Sequence, residues 1–209
     1  MSKEILVATK NKHKLIEISK LLVGLEITLK NLDDYENTPE VIEDKESFIE
    51  NAAKKAIEYS KFTGIPALAD DSGLEVDVLD GRPGVQSARY AGEEQDDSKN
   101  ISKLIDVLDG VPPDKRTARF KCLVVLAQND NVLATAEGTC EGMITFSPAG
   151  EYGFGYDPVF IPKGYDKTFS ELGAEVKDIQ NYLGHSKLAT TEIYLHRSTR
   201  KSIQNYTTH

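Results

Sequence analysis

The hydrophobic pattern of the chain changes character within its first 22 residues. Residues 4–9 form a short apolar run with the length and β-branching of a buried strand. A basic loop follows, and apolar side chains then recur at helical spacing at Leu15, Ile18, Leu21 and Leu22. This pattern predicts an opening unit of strand, loop and helix.

A second strand and helix are predicted next. Residues 26–32 have the pattern of a strand. Ser47 followed by Glu50 has the spacing of a capping box, which predicts a helix that runs to about Phe62. The expected core-facing side of this helix consists of Ile49, Ala52, Ala53, Ala56 and Ile57.

The segment from residue 65 to residue 79 contains two apolar runs separated by the tetrapeptide DDSG at residues 70–73. Two acidic residues followed by Ser-Gly are typical of a turn, so we expect the first strand to end here. A second strand then continues around Glu75 and Asp77. The pattern therefore predicts two carboxylates at a strand end.

One more helix and a hairpin follow along the chain. Apolar residues spaced for one helical face lie between Asp96 and Leu108. Two long strands at residues 118–128 and 132–144 are joined by the turn-forming trio at residues 129–131, Asn-Asp-Asn. Helices and a hairpin together predict an α/β fold, a mixed β-sheet with flanking helices.

Composition narrows the class of protein. At 209 residues, with 39% hydrophobic and 28% charged side chains, the chain has an ordinary globular composition. It starts without a basic leader, and it has no apolar run near the roughly 20 residues that cross a bilayer. We therefore expect a cytoplasmic protein without a membrane partner. Cys122 and Cys140 lie in predicted strands and are expected to be buried free thiols.

Charge argues against a general nucleic-acid-binding surface, because the net charge is −9. A local basic cluster nevertheless lies between the first strand and the first helix. With the N-terminus of that helix, it offers the donors and positive charge that a phosphate chain requires. A solvated lysine-rich loop is the alternative interpretation, and the Walker pattern is absent. The residues of this basic loop are Thr9, Lys10, Asn11, Lys12, His13 and Lys14.

Acidic side chains offer ligands for a hard cation. One of Asp70 and Asp71 is expected to hold Mg²⁺ or to orient a water molecule, and an ordinary turn is the alternative. A cation that keeps several waters needs only one or two protein carboxylates. Glu43 is the preferred second ligand and Glu40 the alternative, because Glu50 already has a capping role.

Glycines surround two aromatic side chains late in the chain. Gly150, Gly153 and Gly155 flank Phe154 and Tyr156. Glycine lets a backbone approach a ligand closely, and an aromatic ring offers a stacking face to a base. A hairpin turn with an aromatic plug is the alternative interpretation.

In this order, these segments resemble the inosine triphosphate pyrophosphatase family, enzymes that remove non-standard purine nucleoside triphosphates. The resemblance rests on ATKNKHK, FIENA, ALADDSGLEVDVLDGRPGVQSARYAG and GFGYDPVFIPKGYDKTFSELGAEVK, and it covers about residues 5–177. It implies an α/β protein with two lobes and a nucleotide cleft between them, usually a homodimer. It also implies hydrolysis of ITP, dITP or XTP to the monophosphate and pyrophosphate, with Mg²⁺ as cofactor.

The resemblance assigns roles to individual residues. Residues 9–14 match the triphosphate-binding loop, Asp71 matches the general base and metal ligand, and Ser72 matches a substrate contact. Lys177 would reach the substrate from the C-terminal side. The residues matched to the base-binding wall are Phe154, Gly155, Tyr156 and Asp157. The expected reaction is in-line attack of water on the α-phosphorus, with Asp71 orienting or deprotonating the water and the lysines stabilising the pyrophosphate.

The chain departs from that family after Lys177. The family continues with Ser-His-Arg, whose His and Arg recognise the 6-oxo base, whereas this chain reads DIQNYLGHSKLATTEIYLH. Residues 178–196 resemble instead the end of the catalytic domain of tyrosine recombinases, or phage-type integrases. His185 and Tyr194 match the active-site histidine and the nucleophile of those enzymes.

Composition also sets the tail, residues 178–209, apart from residues 1–177, the predicted nucleotide pyrophosphatase domain. The tail holds three of the four histidines and a local charge of +2, which leaves −11 for the rest. A tyrosine attacks DNA phosphate only where cationic donors and an acid assist it, and those recombinase residues lie upstream of the matched segment. We therefore expect an atypical helical tail without recombination activity.

Three hypotheses of function follow from the sequence. The first is Mg²⁺-dependent hydrolysis of non-standard purine nucleoside triphosphates, with altered base selectivity because Ser-His-Arg is missing. The second is a non-catalytic nucleotide-binding protein with a defective base pocket, because a small misplacement of substrate costs much of the rate. The third is a DNA-interacting module that uses the tail, which the net charge of −9 disfavours.

Overall fold

Strands and helices alternate through the part of the chain that the computed structural model describes, residues 3–10, 12–21, 23 and 26–173. The strands in it are β1 (Lys3–Val7), β2 (Ile27–Asn31), β3 (Ala67–Val76), β4 (Thr117–Gln128), β5 (Asn131–Ile144) and β6 (Phe160–Pro162). The α-helices in it are α1 (Lys12–Leu21), α2 (Phe48–Thr63), α3 (Asp97–Val107) and α4 (Phe169–Leu172). This architecture confirms the predicted α/β class.

The strands form one mixed sheet in the order β2-β1-β3-β4-β5-β6. β1 is parallel to both β2 and β3, whereas β5 and β6 are antiparallel. A two-residue turn at Asn129 and Asp130 joins β4 to β5, and only antiparallel neighbours can be joined so directly. Asn129 has a φ of 52°, in the left-handed region that such turns require. The predicted hairpin is confirmed.

The described residues divide into two compact units. One contains the residues up to Asp71 together with residues 123–137, and the other contains residues 72–122 and 138–173. In the first unit, α1 and α2 cover opposite faces of the parallel strands. Ala69 shares a buried cluster with Ala52 of α2, whereas Ile18 of α1 packs against a cluster that contains Leu68. Because successive strand residues point to opposite faces, odd-numbered positions of residues 67–71 in β3 face α2 and even-numbered positions face α1.

Helix α2 begins where the sequence predicts. The Oγ of Ser47 accepts a hydrogen bond from the Glu50 N–H at 3.4 Å. Gly64 ends the helix in the left-handed conformation, with a φ of 75°. The predicted inner face is only partly right, because Ala52 is fully buried but Ile49 is 36% exposed. The buried side of the helix includes a polar residue instead, Asn51, which is 1% exposed.

The second unit is built around α3. This helix has Asp96 as its N-cap, whose Oδ1 accepts from the Lys99 N–H at 3.0 Å. Leu104 and Leu108 share a buried cluster with Leu74 of β3. The helix predicted between Asp96 and Leu108 is therefore confirmed.

Strand β3 contradicts the turn predicted at residues 70–73. It runs without interruption from Ala67 to Val76, so that Asp70 and Asp71 lie inside a strand. Both residues are buried, with exposures of 4% and 6%. Two adjacent acidic residues predicted an exposed turn because a buried carboxylate needs a polar partner. Here both carboxylates have such partners, which come from distant parts of the chain.

Cys122 and Cys140 are free thiols in β4 and β5, as predicted, although only Cys140 is fully buried. None of the described helices is long and apolar enough to span a membrane.

Candidate active site

The carboxyl end of β1 lies at a topological switch point of the sheet. The chain passes from β1 to β2 on one side of it, and then through α2 to β3 on the other side. Open α/β sheets bind ligands at such points, beyond the carboxyl ends of the strands. Val7, the last residue of β1, pairs with Leu68. Asp70 and Asp71 therefore lie just beyond the end of β1, on the neighbouring strand.

The basic loop leaves the sheet at this point and joins β1 to α1. The Thr9 N–H donates to the carbonyl of Val7 at 3.0 Å. The predicted phosphate-binding residues thus begin at the strand end and continue into the first turn of the helix. Asn11 lies outside the described residues, and so do the side chains of Lys12 and His13.

Lys14 of α1 forms an ion pair with Asp70. Its Nζ lies 2.6 Å from Asp70 Oδ2, and the two side chains are 23% and 6% exposed. Asp70 occupies an even-numbered position of β3 and therefore faces α1. The ion pair offsets the cost of burying the carboxylate. It also brings a lysine of the basic loop together with one of the two predicted aspartates.

Asp71 faces α2 and is held by Asn51. The Asn51 Nδ2 donates to Asp71 Oδ2 at 3.0 Å. Burial raises the pKa of Asp71 above its usual value and Glu43 adds to the rise, while Lys55, the Asn51 hydrogen bond and Lys14 act in the opposite direction. A carboxylate with a raised pKa is a stronger base, as general base catalysis near neutral pH requires.

Glu43 and Lys55 belong to the surroundings of Asp71. The Lys55 Nζ lies 2.7 Å from Glu43 Oε1, and the two side chains are 13% and 34% exposed. Both groups shift the pKa of Asp71, so both lie within electrostatic range of its carboxylate. Glu40, the alternative metal ligand, is exposed.

The carboxylates of Glu43 and Asp71 fit a hard cation that keeps part of its water shell. Such an ion needs only one or two protein carboxylates when phosphate oxygens supply further ligands. Among the described residues, no group of three or more His, Cys, Asp or Glu side chains is arranged to hold a metal. An all-oxygen pair of this kind suits Mg²⁺ better than Zn²⁺, which prefers nitrogen and sulfur ligands.

A cavity of about 480 Å³ adjoins the basic loop. Thr9 and Lys10 line it from the loop, and Leu15 lines it from α1. The residues that line it from the end of β2 and the following turn are Asn31, Leu32, Asp33, Tyr35 and Thr38. The five residues from β2 and the following turn were not predicted from the sequence to belong to a site. The available signal was that β1 and β2 are consecutive strands, whose carboxyl ends meet at one edge if they are parallel.

The predicted base-binding segment lies in the second unit. Phe154 is 38% exposed, whereas Tyr156 is 4% exposed and its hydroxyl donates to the carbonyl of Ser87 at 2.9 Å. The Phe154 N–H donates to Asp157 Oδ2 at 2.9 Å, and the Gly155 N–H donates to Asp97 Oδ2 at 2.8 Å. Phe154 is therefore the more exposed ring of this segment, while Tyr156 belongs to the core.

A glycine is required inside this segment. Gly153 has a φ of 83°, and a Cβ added there would lie 2.2 Å from Asp157 Oδ2. The glycine signal noted in the sequence thus reflects a tight turn around the Asp157 carboxylate. Ser72 follows directly after Asp71 in β3 and is half-buried. Lys177, His185 and the rest of the tail lie outside the described residues.

Comparison with known proteins identifies the family to which this chain belongs. The sequence pattern of the Ham1 family matches residues 5–193, which is most of the chain. The chain is a member of the Ham1 family. The match passes residue 177 and includes part of the tail. The resemblance of residues 178–196 to tyrosine recombinases is not shown by these comparisons and stays a prediction from the sequence.

Ham1 relatives of known name match over nearly their whole length. A dITP/XTP pyrophosphatase of Desulforamulus reducens is 45% identical over 198 residues, which cover 93% of this chain and 98% of the relative. A dITP/XTP pyrophosphatase of Geobacillus kaustophilus is 47% identical over 191 residues, which cover 91% of this chain and 92% of the relative. These names agree with the family that the sequence motifs resemble.

Solved structures of Ham1 proteins share the fold. A HAM1 protein from Coxiella burnetii superposes with a TM-score of 0.80 at 35% identity, covering 96% of this chain and 98% of that one. A nucleoside-triphosphatase, or dITP/XTP pyrophosphatase, from Mycobacterium abscessus gives a TM-score of 0.75 at 40% identity, covering 91% and 97%. The mixed sheet with flanking helices is therefore the Ham1 fold.

Proposed function

We propose that this Ham1 protein is a nucleoside triphosphate pyrophosphatase that hydrolyses non-standard purine substrates, namely ITP, dITP and XTP, to the monophosphate and pyrophosphate. The observation that supports this proposal most strongly is a cluster beyond the end of β1, formed by Lys14, Asp70, Asp71 and Asn51. It joins a cationic loop to two buried carboxylates at the switch point of the sheet. The names of the relatives support the same enzyme class.

In this proposal Asp71 is the general base. Burial raises the pKa of its carboxyl group, which makes its carboxylate a stronger base toward the proton of the attacking water. The water attacks the α-phosphorus in line with the departing pyrophosphate, so no covalent intermediate is needed. Lys10 and Lys14 of the basic loop bind the phosphate chain and stabilise the charge of the leaving pyrophosphate.

Glu43 and Asp71 would hold Mg²⁺. The ion, when bound, supplies positive charge that neutralises phosphate oxygens. The Lys55 ammonium keeps Glu43 in place at 2.7 Å from its Oε1. Lys55 therefore has a supporting role that was not predicted from the sequence, because a lysine four residues after Asn51 on a helix gives no local sign of its partner.

The base end of the substrate is assigned to the segment at Phe154. Its exposed ring offers the stacking face, and the hydrogen bonds of Gly155 and Asp157 fix the turn that presents it. Ser72 and Lys177 are proposed as further substrate contacts. Because this chain lacks Ser-His-Arg after Lys177, we infer that it discriminates between ITP and ATP less strongly than its relatives do.

The wider setting follows the same resemblance. We propose a homodimer that acts in the cytoplasm on a small nucleotide, with neither a membrane nor a nucleic acid as partner. The net charge of −9 supports the last point, because nucleic-acid-binding surfaces are usually basic.

The proposal is tested by pyrophosphate release from ITP, XTP, dITP, GTP and ATP, with Mg²⁺ and with a chelator in its place, alongside DNA retention at low salt. We expect release from the first three substrates, loss of release with the chelator, and no retention of DNA. Absence of release from every triphosphate would refute the proposed activity. Equal rates with ITP and ATP would show that selectivity depends on the missing Ser-His-Arg.

A further inference from the structure

Asn51 makes three polar contacts in a nearly closed environment. It is the fourth residue of α2 and is 1% exposed. Its Oδ1 accepts from the Lys45 N–H at 2.9 Å, and its Nδ2 donates to Asp71 Oδ2 at 3.0 Å and to the Lys45 carbonyl at 3.5 Å. One side chain thus connects the segment before α2 with the proposed general base.

The hydrogen bond with the Lys45 N–H fixes the orientation of the Asn51 amide. A backbone N–H can only donate, so the group that faces it must be the amide oxygen. The NH₂ group is therefore directed at the Asp71 carboxylate, to which only a donor can bind favourably. An exchange of the two amide groups would place two donors together on one side and two acceptors on the other. Asp71 Oδ2 is therefore the acceptor of the Asn51 amide donor.

Helix α2 also contacts Glu43, the second proposed metal ligand. Lys45, whose backbone is bound by Asn51, lies two residues after Glu43. Glu43 itself forms an ion pair with Lys55, which lies one helical turn after Asn51. Asn51 and Lys55 are four residues apart and therefore lie on one face of α2. This face controls the position of both carboxylates, Asp71 through Asn51 and Glu43 through Lys55.

Asn100 shows what a purely structural asparagine does in this fold. It is the fourth residue of α3 and is 2% exposed. Its Oδ1 accepts from the Ala91 N–H at 2.6 Å, and its Nδ2 donates to the Ala88 carbonyl at 2.9 Å. Each asparagine joins the start of its helix to the preceding segment. The difference is that Asn51 also donates a hydrogen bond to a carboxylate of the candidate site.

We propose that Asn51 is a positioning residue for the reaction, which holds Asp71 by Oδ2 so that its other carboxylate oxygen is directed at the attacking water. This inference rests on the proposed function. Without the amide donor, the Asp71 carboxylate would turn about its Cβ–Cγ bond and toward Lys55 or Lys14, the cations that also influence it. A displacement of this kind, of about 1 Å, costs up to about 100-fold in rate.

The test compares Asn51→Ser with Asn100→Ser. Each replacement is neutral and too short to make the hydrogen bonds of the amide, so each removes the donor without placing a new charge beside Asp71. We expect Asn51→Ser to lower kcat for ITP by about 10-fold to 100-fold with little change in KM. We expect Asn100→Ser to keep the wild-type kcat. Thermal unfolding of both variants gives the fraction folded at the assay temperature, and kcat is expressed per folded molecule.

A double-mutant cycle with Asp71→Asn adds a readout that a structural role would not move. If Asn51 acts through Asp71, Asn51→Ser causes little further loss of kcat in the Asp71→Asn background. Asn51→Leu serves the same purpose if Asn51→Ser yields no folded protein, because leucine is close to asparagine in size, neutral and without a donor.

The outcomes separate this inference from the function on which it rests. A wild-type kcat per folded molecule in the Asn51 variants, with Asp71→Asn inactive, would overturn the positioning role alone. Full additivity of the Asn51 and Asp71 effects would overturn it as well. A wild-type chain without pyrophosphate release, or a fully active Asp71→Asn, would overturn the proposed function and this inference with it.

Discussion

Lys14 and Asp70 form a direct ion pair at the carboxyl end of β1, with 2.6 Å between Nζ and Oδ2. The pair joins α1 to β3, and its two residues are 56 positions apart in sequence. It places a cation of the basic loop beside the two buried aspartates. The pair thereby links the stability of this unit to the binding of phosphate.

Replacement of Lys14 by Gln is expected to affect both stability and substrate binding. The variant leaves the buried carboxylate of Asp70 without this ion pair, which lowers the free energy of unfolding by about 1–3 kcal/mol. KM for ITP should rise because a phosphate ligand is lost. Urea unfolding and initial-rate kinetics measure the two effects. The matched control is Lys30→Gln, whose pair with Glu4 is 3.6 Å long and exposed, and should change stability by about 0.5 kcal/mol or less. Equal effects of the two variants would contradict this account of the ion pair.

Sequence patterns predicted the elements of this fold better than the surroundings of its buried polar groups. The pattern of α2 assigned Ile49 to the core, yet the helix is turned so that Asn51 and Lys55 face inward while Ile49 is 36% exposed. The rotation is favourable because both polar side chains meet carboxylates, at Asp71 and Glu43. Hydrophobic periodicity carries no information about such partners.

The two aspartates illustrate the same limit. Their chemistry was predictable from residue type and position, but the turn that they indicated does not exist. Lys14 and Asn51 stabilise them inside the strand from 56 and 20 residues away. Long-range pairing of this kind decides whether an acidic residue ends a strand or continues it, and one sequence does not show it.

Replacement of Glu43 by Gln should raise the Mg²⁺ concentration needed for half-maximal activity by about tenfold or more, because a proposed carboxylate ligand becomes neutral. Glu40→Gln is the matched control, since Glu40 lies three residues earlier and is exposed. Magnesium titrations of pyrophosphate release measure both. A larger effect of Glu40→Gln would assign the ligand role to Glu40 instead.

Tyr156 and Phe154 should respond differently to substitution. Tyr156→Phe leaves the Ser87 carbonyl without its donor and should cost about 1–3 kcal/mol of stability while kcat/KM is unchanged. Phe154→Ala removes the exposed ring and should raise KM for ITP with little loss of stability. Denaturant unfolding and steady-state kinetics separate the two effects. An equal rise of KM in both variants would place Tyr156 in direct contact with the base.

Cys140 should be unreactive in the folded protein. Burial, with a smaller contribution from Glu141, raises the pKa of its thiol to about 11, so the reactive thiolate is scarce at pH 8. In a Cys122→Ser variant, alkylation by iodoacetamide at pH 8 should therefore be slow, and it should become fast in denaturant. Alkylation of the native variant at the rate of free cysteine would contradict the buried position of Cys140.

The role of Asp71 as general base is tested by pyrophosphate release from ITP by the wild-type chain and by Asp71→Asn. We expect rapid release by the wild type and a decrease of kcat by at least about 100-fold in the variant, since the general base is lost. Because asparagine keeps the size of the side chain, the unfolding temperature should change little. Near-normal pyrophosphate release by folded Asp71→Asn would contradict the assignment of Asp71 as the base.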